Sequence, residues 1–214
     1  MCGRLVLRLA DAEILPFDFR GASQTYARYV GEVTKLADDL RRETEQTNQL
    51  ISEGHLKLAA DPALPFVSPG PKEPVPYLNF APLQNAAQEL KVEADSYHEM
   101  LRAYAGRSQQ LNESNLRSLN KTLFQSERTL LNPKGLPRQP WYRHQIYAPG
   151  FYTGYGVKTL PGVREAIEER KWTEASDEIQ NSAAALRRYA ASIRSARTLL
   201  NSAADSAVKS RAEE

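Results

Sequence analysis

Apolar residues recur every three to four positions in four long stretches of this chain, the period of an α-helix with one buried face. The first stretch runs from about 21 to 53, where Tyr26, Tyr29, Val33, Leu36 and Leu40 form one stripe. Lys35, Asp38, Asp39, Arg41, Arg42 and Glu43 occupy the opposite face, and Gly54 is placed to cap the C-terminus. The second stretch begins near Asn79, a residue type that caps helix N-termini, with Pro82 in the first turn where a missing N–H costs nothing. Leu83, Ala87, Leu90, Ala94, Tyr97, Leu101 and Tyr104 then alternate in steps of four and three as far as Gly106, the seam of a coiled-coil-like packing. The third runs from about 108 to Asn132, with Leu116, Leu119, Leu123, Leu130 and Leu131 on its buried face and Asn132-Pro133 ending it. The fourth starts near Thr173, with Glu174, Asp177 and Glu178 at the end of the helix dipole that favours negative charge. Ile179, Ala183, Leu186, Ala190, Ile193 and Leu200 carry its stripe, and a shorter helix over 161–170 precedes it.

These periods predict an all-α fold, an antiparallel four-helix bundle with a long ordered aromatic loop between the third and fourth long helices. Each Leu or Ile buried in such a seam contributes about 1.5–3 kcal/mol relative to exposure. Val30, Ala37, Phe124, Tyr189 and Leu199 fall outside the stripes and either widen the buried face or mark a second surface that needs cover. No strand pattern of any length competes. Two irregular segments separate the helices. Residues 61–77 hold Pro62, Pro65, Pro69, Pro71, Pro74 and Pro76, which block regular helix and predict a surface loop. Residues 133–162 hold Trp141, Tyr142, Tyr147, Phe151, Tyr152 and Tyr155, an aromatic density far above the 8% of the whole chain, so this loop is expected to pack rather than to be disordered.

Composition narrows the function classes. At 214 residues and 41% hydrophobic content, one sizeable core fits and two large ones do not. The formal net charge of +2 offers no electrostatic reason for a nucleic-acid partner. A single cysteine, Cys2, allows no intrachain disulfide. No stretch approaches the length of a membrane span. The apolar run from Leu5 to Ala10 is interrupted by Arg8 and followed at once by Asp11 and Glu13, so a helix or strand packed on a neighbour fits it better than a signal peptide. From about 202 onward the Ala/Ser/charge-rich sequence predicts a tail, 205–214, that frays.

Catalytic signals are sparse. His55, His98 and His144 stand apart, with no second ligand at metal spacing and no HExxH, GxSxG or P-loop motif. His98, beside Tyr97, reads as a helix-surface residue. Gly154-Tyr155-Gly156 is too short for a dinucleotide fingerprint. The carboxylates are expected on solvated helix faces, and Glu93 and Asp95, two apart on a helix, cannot face each other. No catalytic centre and no metal site are expected within the chain.

The 133–162 loop carries the identifying pattern. Leu136, Pro137, Pro140, Trp141, Tyr142, Arg143, His144, Ile146, Tyr147, Ala148 and Pro149, then Pro161 and Gly162, resemble a segment of the glutamate carboxypeptidase and transferrin receptor family, the zinc peptidases like prostate-specific membrane antigen. Leu9-Ala10-Asp11 and Ile14 to Asp18 are similar to the junction where the family's peptidase domain meets its helical domain. The resemblance covers about 4–200, and the loop is its specific part. It implies that 1–20 are the peptidase-domain junction and that 21–204 are a helical homodimerisation domain, which leans on the active site of its own chain. The two zinc ions and the catalytic machinery it implies belong to a peptidase domain outside these residues. A protease-associated domain is the third module implied, and a secreted, periplasmic or membrane-anchored setting is implied for the parent. In glutamate-preferring members this loop carries a Lys-Tyr pair that holds the substrate's terminal glutamate. Tyr155 matches the Tyr, whereas Gly154 stands at the Lys position and removes that cation; Lys158 replaces it only if the loop is reshaped. Two other readings stand beside this one: a stand-alone helical module binding a partner through the aromatic loop, and the dimerisation domain of a non-catalytic receptor-type homologue.

Overall fold

The computed structural model describes residues 2–56, 67–106, 111–152, 154 and 156–212, with side chains for these except 2, 5 and 203–212. The fold is all-α. Its helices are α1 (Cys2–Ala10), α2 (Phe19–Ser52), α3 (Ala81–Ala105), α4 (Glu113–Gln125), α5 (Pro161–Glu168) and α6 (Trp172–Ala212). A 3-10 turn, Ser126–Leu130, continues α4, and two three-residue strands, β1 (Tyr147–Pro149) and β2 (Val157–Thr159), pair antiparallel within the aromatic segment.

Helix α6 is the hub. It packs along α3 and also against α4, the 3-10 turn and α5, while α2 lies on α3. Two-sided packing explains the breadth of its buried face, where Ala175, Ser182, Ala185, Tyr189 and Ala196 are buried beside the expected Ile179, Leu186 and Ile193. Small buried residues on both partners, Ala86, Ala87 and Ala94 on α3 and Ala183 and Ala190 on α6, let the helices approach closely. The α3 seam lies as the alternation predicts, with Leu101 half-buried and the rest buried. Asn79 accepts a hydrogen bond from the Ala81 amide, just ahead of Pro82 in the first turn.

On α2 the register differs from the expected one. Phe19, Tyr26, Val30, Val33 and Ala37 form the buried stripe, while Tyr29, Leu36 and Leu40 sit at its margin. Val30 and Ala37 are therefore core. Asp18 caps α2, accepting from the Arg20 amide at 3.0 Å and from the Arg20 guanidinium. That pairing, foremost the side-chain hydrogen bond, lowers the Asp18 carboxyl to about 2. Helix α4 starts at Glu113, later than the 108 expected, because Asn112 caps it through the Asn115 amide; residues 107–110 lie outside the described ones. Leu131, expected on the buried face of this helix, lies beyond its end and is 38% exposed. Helix α6 continues to Ala212.

The N-terminal apolar run forms α1, yet Val6, Leu7 and Leu9 are exposed and α1 has no extensive contact with another described element. Among the described residues the expectation that it packs on a neighbour is not met. The junction after it is pinned. Asn120 of α4 accepts from the Leu15 amide at 2.9 Å and donates to the Glu13 carbonyl at 2.8 Å. Of the Pro-rich segment, 67–77 is described, and it runs irregularly along α2. Asn48 clasps both backbone groups of Lys72, Arg41 donates to the Val75 and Pro76 carbonyls, and Arg170 donates to the Glu73 carbonyl.

Candidate functional site

The aromatic segment is built from backbone turns that fold back on themselves. The Asn132 amide donates to the Arg143 carbonyl at 2.8 Å, Leu136 to Tyr142 at 2.8 Å, and Gln145 to Leu130 at 3.1 Å. Gly135 is required here. Its φ of 73° is left-handed, and a Cβ would come within 2.3 Å of the Pro140 carbonyl oxygen. Leu136, Gln139, Gln145, Ile146 and Ala148 point inward and are buried; Trp141 points out. Arg188 of α6 donates to the carbonyls of Thr129 and Leu131, which fastens the start of the segment to the hub helix.

His144 organises the entry to β1. Its Nδ1 accepts from the amides of Ile146 and Tyr147, each at 3.3 Å, so the proton of the neutral ring resides on Nε2. Nε2 is buried without a hydrogen-bond partner among the described residues, 3.8 Å from a Glu127 oxygen, a separation that leaves only an electrostatic attraction. Burial lowers the His144 pKa, and Glu127 partly opposes the shift. The Tyr147 ring lies 4.0 Å from the His144 ring, and its hydroxyl donates to Glu127. That hydrogen bond raises the Tyr147 phenol well above its ordinary value. Tyr26 and Tyr189 pack behind, 6.2 Å apart, with the Tyr26 phenol pushed up to about 12, chiefly by burial. These phenols remain neutral donors at physiological pH. The cluster ties β1 to α2, the 3-10 turn and α6.

The hairpin between β1 and α5 carries the residues picked out from sequence. Tyr155 lies outside the described residues, as does Thr153. Gly154 sits exposed at φ 57° with open space around the position a Cβ would take. Lys158 points back toward α5, its Nζ 2.5 Å from Glu168 and 3.5 Å from Glu165. It is not presented at the loop tip. Glu165 also accepts from the Phe151 amide at 2.6 Å, so one buried carboxylate holds both sides of the hairpin. One terminal nitrogen of Arg138 donates to both carboxylate oxygens of Glu174, at 2.8 and 2.9 Å, and the guanidinium lies 5.7 Å from the Phe151 ring centre. Leu160, buried at φ 46°, turns the chain from β2 into α5. Gly162 then lets Glu178 pass, since a Cβ there would meet the Glu178 carboxylate at 2.3 Å.

Elsewhere the chemistry is structural. His55 pairs with Glu53 at 3.2 Å and His98 is half-buried on α3. No group of three His, Cys, Asp or Glu able to hold a metal ion occurs among the described residues. Among them too, no helix is long and apolar enough to cross a membrane. Three carboxylates among the described residues depart from the expected solvated setting: Glu165 and Glu178, both buried, and Glu93, buried between α3 and α6, 2.8 Å from Arg194 and 3.2 Å from Arg197. Sequence reasoning missed Glu93, Glu165 and Glu127, because each is defined by a partner on another element.

A helical module with this loop and no metal-binding cluster among its described residues matches the model of the transferrin receptor-like dimerisation domain over 78–194, more than half of the chain. The chain belongs to that family. Among individual relatives it is similar to a probable glutamate carboxypeptidase LAMP1 of Arabidopsis thaliana, 31% identical over 169 residues, which cover 79% of this chain and 19% of the relative. It is also similar to a probable glutamate carboxypeptidase of Arthroderma benhamiae, 34% identical over 77 residues, covering 36% of this chain and 11% of that one. The chain thus spans about a fifth or less of the length of these relatives.

Proposed function

We propose that this chain is the homodimerisation domain of a glutamate carboxypeptidase-like zinc exopeptidase, and that its 147–159 hairpin forms one edge of the substrate site. Membership of the transferrin receptor-like dimerisation family carries the reading. On this reading the four long helices act as one antiparallel bundle that pairs about a twofold axis, so that one patch covers its own copy without open-ended growth. An open groove between α2 and α3, lined by Ala27, Gly31 and Ala87, suits close approach of a helix from the second copy. The exposed apolar residues of α1 then meet the peptidase domain, which supplies the two zinc ions and the hydrolysis. Tyr155 donates a hydrogen bond from its phenol to a substrate carboxylate at that boundary. The chain alone hydrolyses nothing.

Sedimentation equilibrium on the purified chain tests the dimer. A discrete species at twice 24.0 kDa, unchanged over tens of micromolar, is expected. A persistent monomer refutes homodimerisation through this domain, and a ladder of ever larger species refutes the twofold interface. For the hairpin, Tyr155→Phe in the full-length enzyme is expected to raise KM, and unchanged kinetics remove the residue from the site.

A further inference from the structure

The hairpin and the helix behind it, residues 147–168, contain two cations, Lys158 and Arg164. Both are committed. Lys158, its side chain 17% exposed, lies between Glu168 at 2.5 Å and Glu165 at 3.5 Å. Arg164 donates to Glu32 at 3.2 Å and to the carbonyl and hydroxyl of Thr159 at 3.2 and 3.0 Å. Next to the hairpin, Arg138 is held by Glu174 and Glu169. Pulling Lys158 outward leaves the Glu165 carboxylate, 7% exposed, without its cation, a configuration that buried ion pairs resist strongly. Among its described residues, the large side chains that the hairpin turns to solvent are apolar or aromatic. Phe151 is 39% exposed, Tyr152 75% and Val157 66%.

We infer that the hairpin is a recognition wall for an uncharged, apolar or aromatic substrate side chain, and that Glu165 and Lys158 are the positioning residues that set it. The inference rests on the reading above that the hairpin borders the substrate site. A carboxylate brought to this wall meets no available cation on it and faces the field of Glu165 and Glu168 behind it. An aliphatic or aromatic side chain instead covers Phe151, Tyr152 and Val157 and gains by leaving water. The terminal α-carboxylate is common to every peptide, so the side chain beside it decides the preference.

The test uses the full-length protein containing this chain and three peptides that differ only in a C-terminal Glu, Leu or Phe. The Leu or Phe peptide is expected to exceed the Glu peptide by at least about tenfold in kcat/KM. Gly154→Lys, which places a cation in open space at the cost of a strained left-handed φ of 57°, is expected to narrow that gap through the KM of the Glu peptide. Glu165→Gln, which keeps an acceptor for the Phe151 amide but releases Lys158 from one partner, is expected to narrow it too. Amide exchange at Phe151 in the 214-residue chain supplies a readout independent of activity: Glu165→Ala speeds it, and Glu165→Gln restores protection. Preference for the Glu peptide in the unaltered protein, with a Phe151→Ser/Tyr152→Ser variant shifting KM for all three, overturns the inference and leaves the site reading standing. If that double variant shifts KM for none, or no peptide is cleaved, the site reading falls and takes the inference with it.

Discussion

Between α3 and α6 the contact is made by Leu83, Leu90 and Tyr97 on one side and Ile179, Leu186 and Ile193 on the other, all buried to within a few percent. From Leu131 to Leu160 the chain anchors Ile146 and Leu160 in the core but is otherwise held by other means: backbone turns, His144 on two amides, Glu165 on Phe151, and Arg138 and Arg188 reaching across from or to α6. The helical pair depends on area removed from water, which is forgiving of position. The hairpin segment depends on a few directional bonds, each with one geometry. A scaffold built the first way stays rigid while a surface built the second way is tuned by single residues, which suits the proposed role of pairing with a copy and lending a wall to a site.

Breaking the helical side should give the largest effect. Leu186→Ala removes a fully buried side chain from the hub helix and is expected to cost about 2–5 kcal/mol of unfolding free energy, read as a shift in the denaturation midpoint. The whole domain should lose stability in one transition, because α6 contacts α3, α4 and α5 together. A second transition, with the aromatic segment melting apart from the helices, would show that the two regions are energetically separate.

Breaking the hairpin side should cost less and act locally. Gly135→Ala forces a Cβ into the Pro140 backbone at a left-handed φ, and about 1–3 kcal/mol of strain is expected. Hydrogen exchange should quicken at the Leu136 and Gln145 amides, whose acceptors are Tyr142 and Leu130. The α3 amides should be unchanged. Equal acceleration in both places would erase the distinction between the regions.

The same contrast governs what the sequence made legible. The α3 seam was readable because only one 4-3 alternation exists there. On α2 two overlapping alternations compete, one through Tyr26, Val30, Val33 and Ala37 and one through Tyr29, Val33, Leu36 and Leu40. The position of α3 selects the first, and no local pattern carries that choice. Helix α4 was placed too early because Asn112, its cap, is preceded by Ser108, Gln109, Gln110 and Leu111, with no Gly or Pro to mark a break, so the sequence also suits a longer helix. The strands are three residues each, too short for any period to register. In the candidate site, the loop and its departure at Gly154 were visible as a string of residues. The burial of Glu165, the inward turn of Lys158 and the pairing of Glu93 were not, since each follows from which element packs behind.

The smallest expected effect, a pH dependence, sharpens the comparison because the two regions respond with opposite sign. His144 has a folded pKa below its ordinary 6.5, owing first to burial, with Glu127 opposing. The unfolded chain therefore binds the proton more readily, and the stability His144 contributes is full above 6.5 and is lost as pH falls through the folded value. Protonation also places a hydrogen on Nδ1, where the Ile146 and Tyr147 amides now donate, so the entry to β1 should loosen first. Glu178, on the hub helix beside Gly162, has a folded pKa above its ordinary 4.5, owing first to burial, with Asn181 opposing and Glu174 and Asp177 adding to the rise. Its contribution is full below 4.5 and is lost as pH rises through the folded value. Acidification from pH 7 toward 5 should thus weaken the hairpin through His144 while it strengthens the α5–α6 contact through Glu178. Exchange at the Ile146 and Tyr147 amides should quicken over that range, after correction for intrinsic rates. Exchange at the Glu169 amide, which closes the end of α5, should slow. His144→Gln should abolish the first trend and leave the second, and Glu178→Gln should do the reverse. Parallel trends at both places, or persistence of the first in His144→Gln, would remove histidine protonation as the local control of the hairpin.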